Sequence, residues 1–89
     1  MPRPWEADPN AALRRRLGKS SQELGHTTAS RDCLDIWELS NGDIAIIGRD
    51  LTESYRNRLP DGVSLSRDER LVVIPRSQLI SAKQDIPDA

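Results

Sequence analysis

DIWELSNGDIAIIGRDL, residues 35–51, is the stretch that decides the fold. Apolar residues run into Asn41-Gly42 and out again, with strand-like alternation on both sides, which is the strongest short-range signal for a β-hairpin. A two-residue Asn41-Gly42 loop pairs Leu39 with Ile44, Trp37 with Ile46 and Ile36 with Ile47; a four-residue loop over 40–43 keeps the same register. One face then carries Leu39, Ile44, Trp37 and Ile46. The other carries Leu34, Ile36 and Ile47, interrupted by Glu38 and Arg49. Both faces are apolar, unlike those of a sheet with one wet side.

Downstream, Asp50 suits a helix N-terminus, with Glu53 at capping-box spacing. Leu51, Tyr55 and Leu59 recur at i, i+4, i+8 as its apolar stripe, and Pro60 stops it. LVVI (71–74) is short, continuous and rich in β-branched residues, which reads as a central strand covered on both sides. Pro75 suits the start of a last short helix that packs Leu79 and Ile80. The expectation for residues 32–84 is a small ββαβα domain of the α+β class, built on an Asn-Gly β-hairpin and followed by a tail, 85–89.

Upstream, residues 1–31 read as a flexible, weakly ordered N-terminal arm. Pro2, Pro4 and Pro9 crowd its start, and GKSSQELGHTTASRD (18–32) is polar and rich in Gly, Ser and Thr. One local signal stands out. Asp8 can cap, Pro9 suits the first helical position, Leu13 and Leu17 lie four apart, and Gly18 can end the turn, which predicts a short helix near 9–17. Such a helix is unstable alone and needs a surface to dock on.

Composition narrows the function. The 89 residues make one domain at most, and a net charge of −1 supplies no overall pull toward nucleic acid or anionic membrane. Cys33 is the single cysteine, so no intrachain disulfide forms. The N-terminus has charges and prolines where a signal peptide has an apolar run, and IAII and LVVI fall far short of the roughly 20 residues that span a bilayer. A cytoplasmic protein with no membrane association is expected.

The search for chemistry finds no catalytic constellation. Gly18-Lys19-Ser20 ends like a phosphate-binding loop, but Leu13 stands where the first glycine belongs and the sequence predicts no strand before it. His26 and Cys33 are the only soft metal ligands, fewer than a structural zinc site needs. Asp43 and Asp50 have turn and cap positions, and Asp32 and Asp35 form no convergent pair with them. The expectation is no enzyme activity, no cofactor and no metal. Arg14, Arg15 and Arg16, with Lys19 nearby, could meet phosphates and carry the nucleic-acid alternative, although no aromatic platform accompanies them.

Size adds a different argument. A single core of this length rarely supplies more than about 3–5 kcal/mol of stability. A sheet with two apolar faces and only two short helices therefore points to another protein, or to a homodimer, as cover. Trp37, Leu39, Ile44 and Ile46 on the hairpin, with Leu13 and Leu17 on the arm, are the expected partner-binding residues.

CLDIWELSNGDIAIIGRDLTE, LPDGVS and DERLVVIPRSQL together resemble small actinobacterial proteins of unknown function. The resemblance rests on Cys33, Ile36, Glu38, Leu39, Gly42, Asp43, Ala45, Ile47 and Gly48, then on Glu69, Arg70, Val72, Ile74, Pro75 and Arg76, and covers roughly residues 33–87. Such proteins are often encoded near helix-turn-helix regulators. The resemblance implies a small protein-interaction module, an accessory or antitoxin-like partner of a transcription regulator; the remaining alternative is a subunit of an enzyme or biosynthetic complex.

Overall fold

The computed structural model describes residues 3–26 and 34–86. Its hairpin consists of β2 (Asp35–Leu39) and β3 (Ile44–Ile47), antiparallel but one residue away from the expected register. Ile36 faces Ile46, Trp37 faces Ala45 and Glu38 faces Ile44. The turn explains the slip. Gly42, at φ +90°, donates its N–H to the Leu39 carbonyl at 3.0 Å, and the Leu39 N–H reaches the Asp43 carbonyl at 2.8 Å. That closes a three-residue loop with a left-handed glycine at its end. Asn41 Oδ1 accepts from the Asp43 N–H at 3.0 Å, so its side chain buttresses the loop. A one-residue slip exchanges partners between faces. Leu34, Ile36, Ile44 and Ile46 now share a face with Glu38; Trp37, Leu39, Ala45 and Ile47 share the other with Asp35.

The expected helix near 9–17 is a strand. β1 (Leu13–Arg16) pairs antiparallel with β2 and makes β2 the middle of a three-stranded sheet. Only a single turn survives of the helical signal: the Asp8 carbonyl accepts from the Ala11 N–H at 3.2 Å and Asp8 Oδ1 from the Asn10 N–H at 2.9 Å. A short lone helix gains little in water. As a strand, the same residues satisfy the open edge of β2 and place Arg15 Nε 3.2 Å from Glu38 and Arg16 Nε 2.9 Å from Asp35. Part of the expected arm thus belongs to the sheet. Cys33 and the expected boundary near residue 31 lie outside the described residues.

LVVI is not a central strand. β4 (Arg49–Asp50) and β5 (Val72–Val73) form a separate two-stranded antiparallel sheet, in which both valines stay partly exposed. A continuous apolar run cannot tell a covered strand from an edge one. Between them, α1 (Thr52–Tyr55) is a single turn. Asp50 Oδ1 accepts from the Thr52 N–H at 3.0 Å, whereas Glu53 pairs with Arg56 at 2.9 Å instead of closing a capping box.

α2 (Arg76–Lys83) starts after Pro75 but turns the opposite side inward from the one expected. Gln78 and Ala82 are buried, while Leu79 and Ile80 are 54% and 58% exposed. Ala82 joins Leu17 and Ile36 in the core, with Ile74 packed alongside. The cause is a close approach: Gly18, at φ +76°, lies so near α2 that a Cβ there would sit 2.6 Å from the Ala82 nitrogen. Only small residues allow that contact, so Ala82 faces the sheet and the bulky aliphatics turn away. At the coarse level the fold is α+β, with two antiparallel sheets and two helices among the described residues.

Candidate interaction surface

The six residues expected to bind a partner do not form one patch. Leu17 is 1% exposed and belongs to the core, so it cannot anchor a partner. Leu13 pairs with Leu39, on the same face as Trp37. There Arg16 takes over much of the exposed ring: its guanidinium stands 5.0 Å from the Trp37 ring centre while it grips Asp35 with two hydrogen bonds of 2.9 and 3.2 Å. Such bidentate pairing fixes the arginine over the indole. Trp37 and Leu39 are half-buried, and Leu13 is exposed.

Ile47 on the Trp37 face is half exposed too, and the opposite face is open in part. Ile44 and Ile46 on β3 are each about half exposed, and α2 covers Ile36 on this same side of the sheet. α2 adds Leu79 and Ile80, and Ile86 follows its end. These helix positions were expected inside. No sequence signal marked their exposure, which follows from the close approach of Gly18 to Ala82 in the fold.

The basic cluster is divided by the strand. Arg15 binds Glu38 and donates to the Asp85 carbonyl at 2.7 Å, and Arg16 binds Asp35. Lys19 donates its backbone N–H to Ser81 Oγ at 2.7 Å. Arg14 stands at the strand bulge and has no ion-pair partner among the described residues.

One pair suited to nucleophilic chemistry is present. His26 Nε2 and Ser77 Oγ share a hydrogen bond of 2.6 Å near the start of α2. Among the described residues no carboxylate bonds the His26 ring to orient it, as an activated serine requires. Nor does any group of three or more His, Cys, Asp or Glu there gather as metal ligands, and no helix there is long and apolar enough to cross a membrane.

No protein-family model, no curated protein and no solved structure matches this chain. The surface must be interpreted from its own chemistry.

Residues 3–6 lie against the 66–69 loop through charge. Arg3 Nη2 is 2.6 Å from Asp68 Oδ2, and Arg3 Nε is 2.8 Å from Glu6 Oε1. Hydrogen bonding by Arg3 is the chief cause that holds both carboxyls below their ordinary values. Trp5 extends the contact by donating Nε1 to Asp43 Oδ2 at 3.3 Å. Since both carboxyl values are depressed in the folded state, their contribution is present at neutral pH and is lost as pH falls through those depressed values. Acid titration is expected to release residues 3–6 from the 66–69 loop, followed through the side-chain carboxyl carbon resonances of Asp68 and Glu6. Arg3→Ala should return both carboxyls toward their ordinary values; unchanged titration in that variant refutes the link.

Proposed function

We propose that this chain is a protein-interaction module, an accessory or antitoxin-like partner of a transcription regulator, and that it docks its partner on the aliphatic side of α2. The inverted packing of α2 carries the reading. The helix buries Gln78, whose Nε2 donates to the Lys19 carbonyl at 3.0 Å while its Oε1 has no partner among the described residues, and it turns Leu79 and Ile80 to water. At 54% and 58% exposure, Leu79 and Ile80 each forgo a little over half of the about 1.5–3 kcal/mol that full burial supplies. A partner that covers Leu79 and Ile80 recovers that energy. Contiguous apolar exposure of this kind is how interaction sites on small soluble proteins read. The regulator as partner class rests on the sequence resemblance alone. Direct nucleic-acid binding is disfavoured because Glu38 and Asp35 already neutralise Arg15 and Arg16.

Affinity capture from the native cell tests this reading. The tagged wild-type chain should retain one protein in stoichiometric amount, and that protein should bind DNA. Leu79→Asp/Ile80→Asp should lose it while keeping the wild-type circular dichroism spectrum. Equal retention by the double variant, or none by the wild type, rules the reading out.

A further inference from the structure

We infer that a second copy of this chain docks on the free edge of β3, antiparallel about a two-fold axis at Ile46, joining two three-stranded sheets into one. This is independent of the partner proposed for α2.

The hydrogen bonding defines the edge. The Leu39 N–H to Asp43 carbonyl bond turns the backbone of Asp43, and by alternation those of Ala45 and Ile47, toward β2. The N–H and carbonyl groups of Ile44 and Ile46 therefore point to the open side. β4 continues the same chain after Gly48 alone, and the Leu51 N–H to Leu71 carbonyl bond at 3.0 Å turns Leu51 and Arg49 toward β5. Gly48 thus joins Ile44 and Ile46 in one outward row.

The two edges of the three-stranded sheet differ. β1 presents consecutive arginines and a bulge between Leu13 and Arg15. Charges and bulges are how edge strands avoid pairing with another chain. β3 reads IAII, with no charge, proline or bulge. Among the described residues it is the unguarded edge, open to strand addition.

Self-complementarity identifies the occupant. With Ile46 opposite its own copy, Ile44 meets Gly48, Ala45 meets Ile47 and Asp43 meets Arg49, each contact occurring twice as an isologous interface requires. Ile47 opposes the small Ala45, Ile46 packs on its own copy, and acid opposes base; over Gly48 the Val73 carbonyl and Ile74 of β5 already stand, so Ile44 of the second copy packs beside β5. Both hydrogen bonds to the Asp43 carboxylate use Oδ2, leaving Oδ1 for the incoming guanidinium. Arg49 is exposed and has no ion pair among the described residues. An axis at Ala45 instead sets Asp43 against Ile47, and an axis at Ile47 sets Ile44 against Asp50. Only the axis at Ile46 sets acid against base.

Sedimentation equilibrium of the full chain tests the dimer. The expected mass at micromolar concentration is twice the 10.0 kDa of one chain. Ile46→Lys places two like charges on the axis and should give a folded monomer, checked by circular dichroism. Arg49→Glu replaces both ion pairs with carboxylate–carboxylate pairs and should weaken association by about tenfold or more. Register is read separately by oxidation in a Cys33→Ser background: Ile46→Cys should yield a disulfide-linked dimer and Ile44→Cys should not. A wild-type monomer at high micromolar concentration, a dimer that survives Ile46→Lys, or crosslinking at position 44 and not at 46 overturns the proposal. Ile46→Lys leaves Leu79 and Ile80 in place, so loss of the dimer with partner capture retained separates the two surfaces.

Discussion

Gly18→Ala is expected to destabilise the protein by about 3 kcal/mol, the sum of left-handed backbone strain and a forced collision. Gly18 has φ +76°, and the added Cβ would lie 2.6 Å from both the Ala82 nitrogen and the Ser81 carbonyl carbon. Those are backbone atoms of α2, which no rotamer change can move. The contact is also clamped: the Gly18 N–H donates to Asp85 Oδ2 at 2.7 Å, and the adjacent Lys19 N–H to Ser81 Oγ at the same distance. Relieving the clash means lifting α2 from Leu17 and Ile36, which opens the core. Gly62→Ala isolates the strain, because Gly62 has φ +83° with nothing within 4 Å of its hypothetical Cβ. That variant should lose only about 1 kcal/mol. Urea unfolding followed by circular dichroism compares the two, and equal midpoint shifts would show that α2 does not press on Gly18.

The same contact explains what could be read from the sequence and what could not. The hairpin was legible because Asn-Gly between alternating apolar runs is a local signal, and the start of α2 was legible because Pro75 is one too. The register was not. Asn41-Gly42 serves a two-residue loop or, with Ser40, a three-residue loop ending in the same glycine, and two apolar faces leave no polar pattern to choose between them. β1 was hidden for another reason. LRRR has neither alternation nor β-branching, and its support comes from Glu38 and Asp35, more than a turn's length away along the chain. The exposed side of α2 was illegible because Leu79, Ile80 and Ala82 outline no single stripe; the nearness of Gly18 decides which of them turns inward. The candidate surface was therefore only half visible, since exposure depends on what the tertiary contacts leave uncovered.

Leu17→Ala and Leu13→Ala should differ sharply, although the two residues look equivalent in a helical reading of 9–17. On a helix they would stand one turn apart on one stripe, and each deletion would have a similar, modest effect. On β1 the bulge between Leu13 and Arg15 breaks the alternation, so Leu13 and Leu17 point to opposite faces where an unbroken strand would align them. Leu13 pairs with Leu39 at the sheet margin and is 56% exposed, whereas Leu17 is 1% exposed and donates its N–H to the Ile36 carbonyl at 2.8 Å. Truncating Leu17 removes a side chain between Ile36 and Ala82, at an expected cost of about 3 kcal/mol. Truncating Leu13 should stay within about 0.5 kcal/mol. Denaturant midpoints of the two variants measure the asymmetry, and similar values would return residues 9–17 to a docked helix. The strand geometry makes a second demand on the same segment: Arg16→Ala should free the Trp37 ring and unpair the buried Asp35 carboxylate, while Arg14→Ala, at the bulge, should change nothing. A core built from a leucine beside three arginines follows from alternation across a strand, which sends Leu17 inward and holds Arg16 over Trp37 on the other side of the sheet.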